Sequence, residues 1–345
     1  MNEYVGAIHI HSVFSDGSGK VEEIAQSASD VGLDYIIITD HNTLRALKDG
    51  YEGWYKNTLL LVGCEINDKE NKNHLLAFNI DETISTRTPA KDYVRMVKEK
   101  GGISFLAHPH EKRNHLAEHP PYPWIEWNTT DFAGIEIWNH MSEWMENLTE
   151  ENKYQSFLHP LKTIVAPPPE TLKVWDELSL SRKVVGIGGI DAHAHKYNLL
   201  GFVEVEIFPY KVLFKSIRTH ILAKEKINNK TDKTAAKNIL YDSLAKGLCF
   251  VANDYHADSR GFKFYAEYNG KTFQMGETVN YTKNINLIVE IPKLEAEIRL
   301  IHNGSLINSI TTMDHKFEMK SPGNYRVEIF HQNKAWIYSN HIRIE

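Results

Sequence analysis

Up to about residue 250 the sequence alternates short apolar runs with stretches whose apolar residues recur at the helical period, and no other feature restricts the fold as much. Apolar runs at 5–10, 35–39, 59–64, 75–80, 103–107, 135–138 and 184–190 read as strands. Between the first two, Val21, Ile24, Ala25, Ala28 and Val31 keep the 3.6-residue spacing of a helix that Gly32 stops. Such βα units build a parallel sheet or a barrel. Further helices are expected at 89–100, 213–224 and 235–246, with a last short strand at 248–252.

Between 110 and 183 the spacing gives way to a stretch rich in Trp, Pro and His, read as an elaboration of a barrel rim. From residue 262 the pattern changes to short period-two strands with turns at Asn269-Gly270, Asn303-Gly304 and Pro322-Gly323-Asn324, the signature of a small antiparallel β-sandwich. The expected division is therefore residues 1–258, with the rim insertion at about 110–183, followed by a sandwich over 259–345.

With 345 residues, 42% hydrophobic and 24% charged, the chain has material for a large core and is neither disordered nor fibrous. Its net charge of −6 supplies no field to recruit nucleic acid or an acidic membrane, so any phosphate must be gripped locally. Two cysteines, Cys64 and Cys249, cannot form a disulfide framework. The first residues show neither a basic nor an apolar leader region, and no stretch reaches membrane-span length, so a cytoplasmic location is expected.

There are 18 histidines, more than Phe or Tyr, and several sit where strands should end. His9-Ile10-His11 closes the first strand, and strand alternation turns both imidazoles to one face. Asp16 follows in a Ser15-Asp16-Gly17 turn. The second strand ends in Thr39-Asp40-His41, the third in Glu65, a later one in His108, and the Gly-rich strand in Asp191-Ala192-His193. His74 opens the element after Glu65. In a parallel barrel these ends meet on one face, where catalytic groups gather. Mixed imidazoles and carboxylates suit Zn, Mn or Fe better than Mg.

In order, His9-x-His11, Ser15-Asp16-Gly17, Thr39-Asp40-His41, Gly63-x-Glu65, His74-Leu75-Leu76, Ala107-His108-Pro109 and Asp191-Ala192-His193 resemble the motifs of the PHP (polymerase and histidinol phosphatase) metal-dependent phosphoesterases. The segment from Gly134 to Asn139 and the appended β-domain look like the branch that includes carbaryl-type metallohydrolases. The resemblance implies an α/β fold, a distorted seven-stranded βα barrel, and two or three divalent metal ions. It assigns one metal to His9, His11, Glu65 and Asp191. A second would share Glu65 and add His74 and His108, and a third would take Asp16, His41 and His193.

Metal ions roughly 3.5–4 Å apart can hold a bridging hydroxide at neutral pH and clamp a phosphoryl group. The function so implied is hydrolysis of a small phosphate monoester or diester, with a nucleotide among the candidate substrates. An ester, amide or carbamate hydrolase on the same barrel is the alternative, and a binding module centred on the β-sandwich a further one. The expected partner is a small molecule, with no strand-binding groove and no membrane.

Among the remaining residues, Glu65 and Asp191 are candidate catalytic groups as well as ligands, Asp191 as a base for water. His195 reads as a proton donor to a leaving group or as a loop cap. His110 reads as a substrate hydrogen-bond donor or as a polar loop residue. Asp40 is expected to orient an imidazole. Glu136 and Asn139 read either as pocket lining or as rim hydrogen bonds. Lys112 and Arg113 could grip an anion or form a solvated pair, and Trp124, Trp127, Trp138 and Trp144 could form an aromatic wall or pack the insert.

Overall fold

A computed structural model describes residues 1–113, 120–199, 203–281, 284–292 and 294–345; part of the expected rim insertion, 114–119, lies outside the described residues. The first strand, Asn2–Ile8, pairs in parallel with Tyr35–Ile38, which pairs in parallel with Thr58–Val62. All four residues of Tyr35–Ile38 and all five of Thr58–Val62 are buried, as expected of strands covered on both faces. At Gly63 the chain passes into a second sheet. A Cβ there would lie 2.6 Å from the Phe78 ring and 2.8 Å from the Ala77 carbonyl oxygen, so only glycine fits the crossing.

The second sheet runs Cys64–Ile66, Leu75–Phe78, Ile103–Leu106, Gly134–Asn139 and Val185–Gly189. Leu75–Phe78 is antiparallel to both neighbours, unlike the all-parallel order expected, while the last two pairings are parallel. Isolated bridges between His41 and Glu65 and between Ile10 and Ala192 join the two sheets at both margins. His11 N donates to Ala192 O at 2.9 Å and Ile190 N to Ile8 O at 3.0 Å, so the pairings return to the first strand. The reversed strand presents its amino end where its neighbours present their carboxyl ends. That is why His74 precedes its strand whereas His9, His11, His41, His108, Asp191 and His193 follow theirs.

Residues 213–224, expected as a helix, instead contain the strand Ile217–Ala223, antiparallel to Asn2–Ile8. All seven of its residues are buried, including the polar Arg218, Thr219 and His220. Cys249–Asn253 pairs beside it, and Lys334–Ser339 pairs with Cys249–Asn253. One sheet therefore continues from the amino-terminal part through to Gly323–His331 and Ala296–His302.

A four-stranded antiparallel sheet, Lys271–Gln274, Lys263–Tyr268, Asn286–Glu290 and Asp314–Glu318, covers those carboxyl-terminal strands. Phe264, Leu287 and Val289 pack in one cluster with Ile298, Val327, Ile329 and Trp336. This two-layered arrangement is joined to the rest of the chain in two ways that a boundary at residue 258 does not describe. Its core includes Leu222, Leu248, Phe250 and Ala252, which precede residue 258, and Thr278–Val279 pairs in parallel with Ile342–Ile344. Asp176, from the helix Pro169–Ser181, also receives a bidentate pair from Arg326 at 2.7 and 2.8 Å. Among the described residues no helix is long and apolar enough to cross a membrane.

Candidate metal centre

The first strand ends at Ile8, and His9 takes a left-handed backbone with φ of 70°. The two imidazoles thus converge through a kink beyond the strand, and plain strand alternation does not describe them. His108 (φ 27°) and Asp191 (φ 53°) share this uncommon conformation. Non-glycine residues in this region cost of order 1–3 kcal/mol each and collect where the surrounding structure forces a side chain into place.

Glu65, 1% exposed, sits at the middle. Its Oε2 lies 3.1 Å from His9 Nε2, 3.2 Å from His11 Nε2 and 3.4 Å from His41 Nδ1. Its Oε1 lies 2.7 Å from His74 Nδ1 and 3.3 Å from His108 Nε2. Asp191 Oδ1 is 3.4 Å from both His9 Nε2 and His11 Nε2. Asp16, half exposed, is reached by His11, His41 and His193 at 3.4–3.6 Å. All nine residues named as ligand candidates are brought together.

Their donor atoms form four overlapping groups: His9, Glu65 and His108; His9, His11 and Asp191; His41, Glu65 and His74; and His11, Asp16, His41 and His193. His9 Nε2, both His11 nitrogens, His41 Nδ1 and His108 Nδ1 are buried without a hydrogen-bond partner. Buried polar atoms without partners are rare and demand an explanation. Imidazole lone pairs and carboxylate oxygens aimed at common points are the donor set that binds divalent transition metals, so the residues fit such ions. Burial alone would raise the Glu65 and Asp191 carboxyls, but the surrounding imidazoles hold both well below the usual carboxylate range. Burial pushes the His41 imidazole down to about 4, which keeps it neutral and able to donate a lone pair to a metal.

Glu136 completes the surroundings. Fully buried, it places Oε1 2.9 Å from His9 Nδ1, while Oε2 accepts from His108 N at 2.8 Å and from Asn139 Nδ2 at 2.9 Å. It therefore holds His9 with Nε2 facing Glu65 and ties down the His108 backbone. Gly189 makes room for it, because a Cβ there would come 1.9 Å from Glu136 Oε1. The sequence left Glu136 open between pocket lining and a rim bond. It lies in the strand Gly134–Asn139, 127 positions from His9, and no local spacing signals that pairing.

Asp40 departs from its expected role, and His110 takes the second of the two places open to it. Asp40 orients no imidazole; its Oδ1 accepts from Ser12 N at 2.6 Å and Ser15 Oγ at 2.8 Å, and its Oδ2 from Ser12 Oγ at 2.7 Å. It clamps the loop that carries Asp16. His110 is not brought to the cluster: its Nδ1 lies 3.0 Å from Thr171 Oγ1 and its ring stacks on Trp127. His195 does reach the site, stacked 4.9 Å from the His193 ring. Lys112 turns out to Glu170, whereas Arg113 stays beside the site, bonded to Glu111 and lying over the Tyr122 ring.

The cluster opens into a cavity of about 560 Å³. His74, His108, Glu65, Asp191 and His193 lie at one end, and Met141, Trp144, Met145, Leu148, Phe157 and Ile207 form the wall. Of the four tryptophans considered, only Trp144 lines this space. Trp124 packs against Tyr93, and Trp138, buried, donates to Glu143 at 2.6 Å.

Residues 7–120 match the PHP domain family. The matched segment carries His9, His11, Asp16, His41, Glu65, His74 and His108; Asp191 and His193 follow it and join the same cluster. No curated protein matches the chain. Among solved structures, the chain is similar to a two-domain protein of Bacteroides vulgatus containing a predicted PHP-like metal-dependent phosphoesterase. Identity is 15%, the match covers 99% of this chain and 95% of the other, and the TM-score is 0.49. It is also similar to an amidohydrolase of Chromobacterium violaceum, at 14% identity over 55% of this chain and 87% of the other, with a TM-score of 0.33.

Proposed function

We propose that the chain is a metal-dependent phosphoesterase acting on a small phosphate monoester or diester. The PHP match supports a metal-dependent hydrolase, and the observation that carries the reading further is the convergence of five imidazoles on the one buried carboxylate of Glu65. His9, His11, Glu65 and Asp191 would hold one ion, Glu65 with His74 and His108 a second, and Asp16, His41 and His193 a third, with Mn, Fe and Zn all suited to these donors. When bound, such ions supply Lewis acidity, acidifying water and offsetting charge on phosphoryl oxygens.

The chain's own groups do the rest. Glu136 fixes His9 and the His108 backbone, so the donor atoms keep their places without substrate. Arg113, held by Glu111, offers a guanidinium at the cavity lining for a phosphoryl oxygen. His195 lies beside the cluster at the cavity lining, positioned to exchange a proton with a leaving oxygen. A cavity of this size fits a small molecule. The largely apolar wall also favours a second reading, hydrolysis of an aryl ester or carbamate at the same cluster.

The test is a panel of initial rates with Mn²⁺: a phosphate monoester, a phosphodiester and an aryl ester, each with a chelated control and a Glu65→Gln variant. Chelator-sensitive phosphate release that disappears in the variant supports the proposal. Ester turnover without phosphate release replaces it with the second reading.

A further inference from the structure

The wall of the cavity opposite the metal cluster is assembled from elements outside the PHP match. Met141, Trp144 and Met145 come from the helix His140–Glu146, Leu148 from the segment after it, Phe157 from the helix Lys153–Leu158, and Ile207 from the strand Val203–Ile207. Trp144 anchors this wall: it meets the Phe157 and Phe208 rings edge-on at 5.0 Å each, and its Nε1 donates to Ser156 O at 3.1 Å. The indole polar atom is thereby satisfied away from the cavity, leaving carbon to face it. Phe157 is 39% exposed, an apolar ring kept at the opening.

Among the described residues the charges around this wall cancel. Arg113 is neutralised by Glu111 at 2.7 Å, and Lys153 by Glu150 at 2.6 Å. Beyond the cluster, the described residues lining the cavity thus supply no surplus positive charge for a second phosphate, and burying one there would leave its charge unpaired. An uncharged ring, by contrast, would displace water from apolar surface and meet aromatic edges. Between the two ends, Tyr122 stacks on His74 with centroids 5.1 Å apart and planes within 11°, a flat surface adjoining the cluster.

We infer that the leaving group of the substrate is an uncharged aromatic alcohol: the substrate is an aryl or arylalkyl monophosphate, and the wall at Met145, Leu148 and Phe157 selects it over nucleoside polyphosphates and sugar phosphates. The inference rests on the phosphoesterase reading of the cluster. In the reaction, a bond forms from water oxygen to phosphorus, the bond from phosphorus to the aryl-bearing oxygen breaks, and that oxygen leaves with a proton from water.

Binding separates the wall from the chemistry. With the full chain and Mn²⁺, calorimetric titration compares benzylphosphonate with methylphosphonate, which share the anion and differ in the ring. The expected result is at least tenfold tighter binding of benzylphosphonate, shrinking to within threefold in Phe157→Ala and in Met145→Ser. Phe157→Leu and the distant, exposed Leu306→Ala should retain most of the gap, and melting curves check that each variant folds. Equal affinities in the parent chain, no measurable binding of either probe, or a gap indifferent to Phe157 and Met145 would overturn the inference. Equal phosphate release from 1-naphthyl phosphate and ribose 5-phosphate would also overturn it while leaving the proposed function intact. A ring preference in binding together with cleavage of aryl esters alone would keep the wall and remove the phosphoesterase reading.

Discussion

His9 Nδ1 and Glu136 Oε1 lie 2.9 Å apart with both side chains fully shielded from solvent. A neutral imidazole that donates from Nδ1 has its Nε2 lone pair free, and that nitrogen is the one beside Glu65 and Asp191. Replacing Glu136 with Gln keeps the shape but removes the acceptor charge, and the amide can present its NH₂ to the ring. The expected outcome is a loss of metal affinity of about 10–100-fold, with turnover restored at high Mn²⁺. Gly189→Ala should act on the same contact, because its new Cβ would displace the Glu136 carboxylate. Competition titration against a chromogenic chelator measures both.

The two ends of the donor cluster differ in exposure. Glu65 is buried and shared between two of the four ligand groups, whereas Asp16 is 50% exposed at the side chain and, among the described residues, serves the outer group with His11, His41 and His193. Asp16→Ala should therefore lower the metal content of gel-filtered protein by about one ion per chain and keep the remainder. Glu65→Ala should abolish retained metal altogether. Elemental analysis after gel filtration decides; equal losses in both variants would mean the outer group holds no separate ion.

The strand ends were the legible part of this molecule. His9, His11, His41, Glu65, His108, Asp191 and His193 each follow a short apolar run, and chain direction alone carries such residues to one side of a ring of strands. What escaped the sequence has physical reasons. Hydropathy does not encode strand direction, so the reversal of Leu75–Phe78 was invisible. Leu213, Ile217 and Ile221 fall four residues apart and imitate a helix, yet Ile217–Ala223 is a strand whose polar Arg218, Thr219 and His220 are buried with the rest. Ser15 lies 25 positions from Asp40, Thr171 lies 61 from His110 and His9 lies 127 from Glu136, beyond the reach of spacing arguments.

Continuity of the sheet across residue 258 bears on how the two halves depend on each other. Lys334–Ser339 covers the outer edge of Cys249–Asn253, and Phe250 and Leu248 belong to the carboxyl-terminal core. A chain ending at residue 258 would expose that edge and those apolar side chains. It should be recovered mainly as aggregate, or unfold at much lower urea than the full chain, as circular dichroism and size-exclusion chromatography would report. A soluble, cooperatively folding fragment would instead establish residues 1–258 as an independent unit.

A buried ion pair fastens the same junction and gives it an acid sensitivity. Burial would raise the Asp176 carboxyl, but Arg326, paired through Nε and Nη2, and His341 at 2.8 Å hold it down at about 2. The folded value lies below the ordinary one near 3.8, so the unfolded chain binds the proton more readily between them. Stability from this group is therefore complete above about pH 5 and is lost as pH falls through the folded value of about 2, by about 2 kcal/mol in total. Burial holds His341 neutral near pH 7, so Arg326 carries the countercharge. Asp176→Asn should cost about 3 kcal/mol at pH 7, because Arg326 stays buried with only Glu328 as an anionic partner. The urea midpoint of this variant should also fall less steeply between pH 4 and pH 2 than that of the parent. Parallel acid limbs for the two proteins would show that Asp176 is not the group that titrates.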